Sequence, residues 1–319
     1  MLPDRLQHQY VVLIVVAAAS VAEMSGGARR LEATASLLLD FPSDASLSAG
    51  EIGLLALKED LWVFARVCTV AALLLAAGAA VAQDDRIGRL LDTLVAAYPA
   101  ALAGHDTTTL RWRDGSVMPI TEGNGRKTFD DLLRHASIAD QFSIAYPRGE
   151  LKQPPAIDSD PGRFRNTAFF TKMYGDCKTG AVARRLVRLV WLPKTWGKPI
   201  QFTSVNGAEA HLRAVSAELD ELPPAIKRAA FPIAGTYNCR TVADTGEPSP
   251  HSYGIAIDLN LKFSDYWFWQ QRAGKIAYRN RMPQEIVSIF EEHGFIWGGK
   301  WYHYDTMHFE YRPELLSGG

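Results

Sequence analysis

Ser249-Pro250-His251-Ser252-Tyr253-Gly254-Ile255-Ala256-Ile257-Asp258 is the stretch that decides the reading of this chain. Gly254 permits a tight backbone turn. After it, Ile255, Ile257 and Leu259 alternate with Ala256, Asp258 and Asn260, the period of a strand with one buried face. The branched residues turn inward and Asp258 turns to the other face. His251, placed before the turn, can fold back beside Asp258, and the small Ala256 leaves room there for an ion.

A second stretch answers it: Asp305-Thr306-Met307-His308-Phe309-Glu310. Met307 to Tyr311 reads as a strand with His308 and Glu310 on one face. Asp305 would point to the opposite face of an unbroken strand, so a bend or a turn of helix is expected between it and His308. Two imidazoles and one carboxylate suit a catalytic zinc, which takes three protein ligands and leaves a fourth position for water. His251, Asp258 and His308 are the expected ligands, Asp305 the expected general base, and His303 the rival ligand. Taken singly, each such residue is more often an ordinary hydrogen-bonded one. The set, with small and glycine residues spaced between its members, shifts that weighting towards metal.

At these residues the chain resembles the zinc peptidases of peptidoglycan, the D-alanyl-D-alanine carboxypeptidase and L-alanyl-D-glutamate endopeptidase family. The family pattern Ser-x-His-x-x-Gly-x-Ala-x-Asp is matched by Ser249, His251, Gly254, Ala256 and Asp258. An acidic residue three before a His, followed by Phe-Glu, is matched by Asp305, His308, Phe309 and Glu310. Gly235 to Arg240 resembles the segment that delivers a substrate-binding arginine, here Arg240. Trp297-Gly298-Gly299-Lys300-Trp301 resembles the glycine-tryptophan turn between the two motifs. The resemblance covers residues 200–319 with specific motifs. It implies a compact α+β zinc domain with a small antiparallel sheet carrying the ligands and flanking helices. It also implies a Zn2+ cofactor and a peptidoglycan peptide substrate. Ser249 and Tyr253 join Arg240 as implied substrate-binding residues, His303 is a candidate for stabilising the oxyanion, and Glu310 for orienting a ligand. Many carboxypeptidases of the group use Glu as the base, whereas Asp305 is the form more typical of the endopeptidase branch. The alternative is a cell-wall-binding module that keeps zinc without catalysis, against which the presence of Asp305 argues.

The remaining sequence bounds this reading. With 319 residues and 47% hydrophobic content the chain can bury a sizeable core. A formal net charge of -1 gives no reason to expect nucleic acid. Three cysteines exclude a disulfide scaffold, and one bridge, Cys177 to Cys239, is open to an oxidising compartment. Arg66 precedes an apolar run, 67–82, that ends Ala80-Val81-Ala82, the marks of a secretory signal peptide. Four segments are therefore expected. Residues 1–60 are an N-terminal extension from an over-long start, and 61–82 a signal peptide or membrane anchor. Residues 83–199 are the first part of the mature domain and 200–319 its zinc peptidase core. A periplasmic or secreted protein of the bacterial envelope follows.

Within the mature region, mixed helices and strands without a regular βαβ beat indicate α+β. A helix is expected through Ile87, Leu90, Leu91, Leu94 and Val95, and two short strands around the turn at Asp114-Gly115. Asn206 is expected to cap the helix carrying Leu212, Val215 and Leu219, and Pro283 to stand at the first position of a later one. Asp158 to Gly162 reads as a plain turn, Arg163 and Arg165 as solvated charges, and Tyr266 to Trp269 as core or pocket wall rather than a sugar platform.

Overall fold

The computed structural model describes residues 86–316 apart from 123, 124, 126, 273 and 274. The expected extension over 1–60 and the signal segment over 61–82 lie outside the described residues. Helix α1 spans 86–97 and buries Leu91 and Leu94, the stripe its sequence spacing marks. It leads into an antiparallel sheet of β1 (Leu102–His105), β2 (Thr109–Trp112) and β3 (Val117–Pro119). The turn between β2 and β3 is tied by Asp114, whose carboxylate accepts from the Ser116 amide at 3.0 Å and its hydroxyl at 2.7 Å.

Helix α2 (Phe129–His135) opens with a reciprocal cap between Thr128 and Asp131. Helix α3 (Thr167–Tyr174) opens on Asn166, whose side chain accepts from the Phe169 amide. A hairpin of β4 (Leu186–Trp191) and β5 (Lys198–Thr203) follows, then α4 (Ala208–Glu221) and the short α5 (Pro224–Lys227). The chain ends in the sheet that matters most here. It contains β6 (Ala256–Asp258), β9 (Phe295–Trp297) and β10 (His308–Tyr311), in the order β6-β10-β9 with β10 central. Helix α6 (Trp267–Gln270), the two-residue strands β7 (Gln271–Arg272) and β8 (Lys275–Ile276), and α7 (Gln284–Glu292) lie between β6 and β9. Seven helices and four antiparallel sheets among the described residues make the fold α+β, as expected.

One face of the central sheet is core. Phe309 stacks on Phe290 of α7 with ring centroids 3.9 Å apart, and Phe290 meets Phe295 edge-on at 5.4 Å. Ile257, Ile286 and Val287 close the same interior. Because side chains alternate along a strand, burying Phe309 and Ile257 sends His308, Glu310 and Asp258 to the opposite face. The hydrophobic face thus aims the polar one.

Several local expectations need correction. Asn206 does not cap α4: it takes a left-handed conformation (φ 57°), Gly207 follows at φ 69°, and the helix starts at Ala208. Asn tolerates that region better than most residues, so it serves the turn before the helix instead. Pro283 flanks α7 from outside, with extended ψ 137°, and Gln284 is the first helical residue. Phe268 and Trp269 are not core: they are 63% and 55% exposed. Arg163 and Arg165 are not solvated; each guanidinium is paired with a fully buried carboxylate. Cys177 and Cys239 form a disulfide with Cα atoms 5.6 Å apart.

Candidate metal centre

The register of β6 against β10 places Asp258 directly opposite His308, and Ala256 opposite Glu310. Cross-strand partners share a face, so the carboxylate and the imidazole meet by construction. His251 arrives from the turn that precedes β6. Ser249 accepts from the His251 amide at the head of that turn, and Gly254 closes it at φ +71°. A Cβ at Gly254 would stand 2.7 Å from Leu186 Cδ2, so both the conformation and the close approach call for glycine. The segment before the motif clasps both ends of it. Ala234 donates its amide to the Asp258 carbonyl at 2.8 Å, and the Thr236 carbonyl accepts from His251 Nδ1 at 2.5 Å.

The Asp258 carboxylate therefore lies between two rings. Its Oδ2 is 3.2 Å from His251 Nε2 and its Oδ1 is 3.1 Å from His308 Nδ1. One donor atom from each of His251, Asp258 and His308 falls within 4.8 Å of the others. The residues fit a metal on chemical grounds as well. His251 commits its Nδ1 proton to Thr236, which leaves Nε2 with a lone pair, and Nε2 is buried without a hydrogen-bond partner. A buried unpaired ring nitrogen is costly unless something else binds it. His308 faces Asp258 with Nδ1, while its Nε2 lies 3.3 Å from Glu310 Oε2. Glu310 is fully buried and gripped by Arg165 and Arg312.

Charge follows the same geometry. Burial alone would raise the Asp258 carboxyl, but the two imidazoles it lies between, His251 ahead of His308, prevail and hold it well below the usual range. Burial would lower His308, yet its bonds to Asp258 and Glu310 carry it up to about 9 in the ion-free site. Burial would raise Glu310, and Arg165 above all keeps it ionised. Asp305 behaves differently: burial and the nearby Asp258 charge push it up to about 6. Its Oδ1 is buried without a partner. A turn at Thr306 and Met307 separates Asp305 from β10, the break that the sequence demanded.

Other expected site residues are placed as follows. His303 stands apart from the three-donor group; its Nδ1 is 2.8 Å from Asp160 Oδ2, and its ring lies between Phe129 and Trp267. Its place as rival ligand is therefore taken by an internal partner. Asp160, in the loop read as a plain turn, is 0% exposed and also pairs with Arg163 at 2.8 Å. Arg240 is exposed, and its guanidinium makes no hydrogen bond among the described residues. Its backbone carbonyl accepts from the Ser249 amide at 3.1 Å, so it borders the histidine turn. Ser249 and Tyr253, expected to bind substrate, are both buried. Ser249 braces the turn, and the Tyr253 hydroxyl sits 3.2 Å from Thr171 Oγ1 with its ring against Phe170.

Sequence reasoning did not find the role of Arg165, Arg312 or Asp160. The one signal available was the lone acidic Glu310 in a strand otherwise made of large residues, which has to bury its charge against a cation somewhere.

Both metal-ligand motifs fall in one comparison. Residues 243–311 match the family model described as D-alanyl-D-alanine carboxypeptidase. The carboxypeptidase-like segment contains His251, Asp258, Asp305, His308 and Glu310, and begins after Arg165 and Arg240. The likeness is confined to this part of the chain. No curated protein and no solved structure matches the chain.

Proposed function

We propose that the protein is a zinc peptidase of the bacterial envelope that hydrolyses an amide bond in peptidoglycan stem peptides. The observation that carries this is the convergence of His251 Nε2, the Asp258 carboxylate and His308 Nδ1, the first of them buried and making no hydrogen bond. The carboxypeptidase-like match over the same residues supports it. When bound, zinc supplies a Lewis acid that polarises a carbonyl and brings the acidity of water towards neutrality. His251, Asp258 and His308 would hold it.

The remaining steps belong to the chain's own groups. Asp305, raised to about 6 and still largely ionised at neutral pH, accepts a proton from water and returns it to the leaving amine. The free guanidinium of Arg240 receives a substrate carboxylate by two parallel hydrogen bonds. His303, fixed through Nδ1 by Asp160, presents its other nitrogen to the oxyanion. The Cys177–Cys239 bridge fits an oxidising compartment, in keeping with a periplasmic or secreted location.

The bond cut is either the terminal D-Ala-D-Ala amide or an L-Ala-D-Glu amide. Incubation of the zinc-loaded protein with defined muropeptides, followed by mass spectrometry, separates them. Loss of a single alanine is expected from the first and release of the stem peptide from the second. Tight zinc binding with no cleaved product would overturn the enzyme reading in favour of a wall-binding module.

A further inference from the structure

The carboxypeptidase-like segment does not complete the metal site by itself. Glu310 faces the ligand His308 through Oε2, and a carboxylate on a strand can rotate unless something sets its plane. Arg165, at the entrance to α3 and far upstream in sequence, does so. Its Nε donates to Glu310 Oε1 at 2.8 Å and its Nη2 to Oε2 at 2.5 Å, while its Nη1 is anchored on the Arg163 carbonyl at 3.2 Å. Arg312 Nη1 holds Oε1 from the other side at 3.2 Å. Arg312 is in turn fixed by Glu314 at 2.5 Å, and Glu314 accepts from the Tyr98 hydroxyl at 2.6 Å. All of these groups are at least mostly buried.

We propose that Arg165 is a positioning residue for the metal site: its two-point grip on Glu310 fixes which nitrogen of His308 carries the proton. This rests on the metallopeptidase reading above. Asp258, 3.1 Å from Nδ1, competes as an acceptor but divides its charge between two rings, whereas Glu310 is locked beside Nε2 at 3.3 Å. The neutral imidazole therefore carries its hydrogen on Nε2 and turns the Nδ1 lone pair towards Asp258 and the ion site. Partners of this kind orient ligating histidines, and their loss weakens metal binding about 10- to 100-fold. A lysine at 165 would offer a point charge without the planar fork and would not restore the carboxylate's orientation.

The test compares wild type with Arg165→Lys and Arg165→Gln. Zinc affinity is read by chelator competition, and the His308 tautomer by nitrogen-proton NMR of the ion-free protein at high pH. Wild type is expected to show the Nε2–H form. Both variants are expected to lose about tenfold or more in zinc affinity and to show a mixed tautomer while remaining folded by near-UV circular dichroism. Zinc affinity within twofold of wild type in either folded variant overturns the proposal. So does an Nδ1–H tautomer in the unaltered protein, a result that does not depend on any variant folding. A wild type that binds zinc but cleaves no muropeptide removes the enzymatic reading and leaves this comparison intact.

Discussion

Asp305 and His308 carry the sharpest consequences at the scale of the residue. Asp305→Asn is nearly isosteric and removes the proton acceptor but no proposed ligand. Hydrolysis of a muropeptide is expected to fall by about 10²–10⁴, with zinc stoichiometry unchanged by metal analysis; full activity in the variant would remove Asp305 as the base. His308 sets a pH dependence. Its value rises from 6.5 to about 9 in the ion-free site, so the folded apo protein holds a proton that the unfolded chain releases earlier. That stabilisation is complete below 6.5 and is lost as pH climbs through about 9. A ligand nitrogen must give up the same proton, so zinc affinity is expected to rise across this window. Calorimetry in buffers of different ionisation enthalpy should register about one proton released per zinc near pH 7; no buffer dependence would show that His308 is already neutral. The residues of this site were the most legible part of the sequence, because each was spelled by a short motif. Arg165 was not. Nothing local tells a buried arginine from a solvated one when its carboxylate partner lies 145 residues away.

At the scale of the element, the site is a property of two strands and the turns that feed them. The sequence marked strands over 255–260 and 307–311, and the structure has them at Ala256–Asp258 and His308–Tyr311. Alternation exposes a strand but not its partner, so the register that sets Asp258 against His308 had to come from the fold. The misplaced helix starts at Asn206 and Pro283 have a related cause. Both residues suit a helix entrance, and whether they stand at it or just outside depends on the preceding turn. The turn before β10 offers a direct test. A Cβ on Gly298 would stand 2.6 Å from the Asp305 carbonyl oxygen and 3.0 Å from the Trp301 ring, and backbone cannot swing away as a side chain can. Gly298→Ala is expected to destabilise the fold by about 1–3 kcal/mol, read from the denaturant midpoint. It should also lower kcat more than it raises KM, because the displaced backbone carries Asp305. An unchanged kcat in a destabilised variant would separate the turn from the base.

For the whole molecule, two segments upstream of the carboxypeptidase-like match are tied to each other covalently, and they reach the site through Arg165 and Thr236. Cys177 follows α3, and Cys239 adjoins Arg240 in the segment whose Thr236 carbonyl orients His251. The sequence permitted this bridge but could not choose it, since cysteine spacing says nothing about whether two Cα atoms come within reach. Closing a span of 62 residues removes conformational freedom from the unfolded chain worth about 4 kcal/mol in the chain-entropy description. The double variant Cys177→Ser with Cys239→Ser is therefore expected to unfold at distinctly lower denaturant, with a larger m-value because the freed denatured chain is less compact. A second effect separates stability from function. The segment around Arg240 is exposed, and its backbone is held on one side by the Ser249 amide and on the other by the bridge. Freed from the bridge, Arg240 pays more ordering entropy to engage a substrate carboxylate, while the donors at 251, 258 and 308 keep their own supports. At a temperature where both proteins are fully folded, KM for a muropeptide should rise several-fold with zinc affinity unchanged. A fall in zinc affinity of the same size would instead show that the bridge acts through Thr236 on His251.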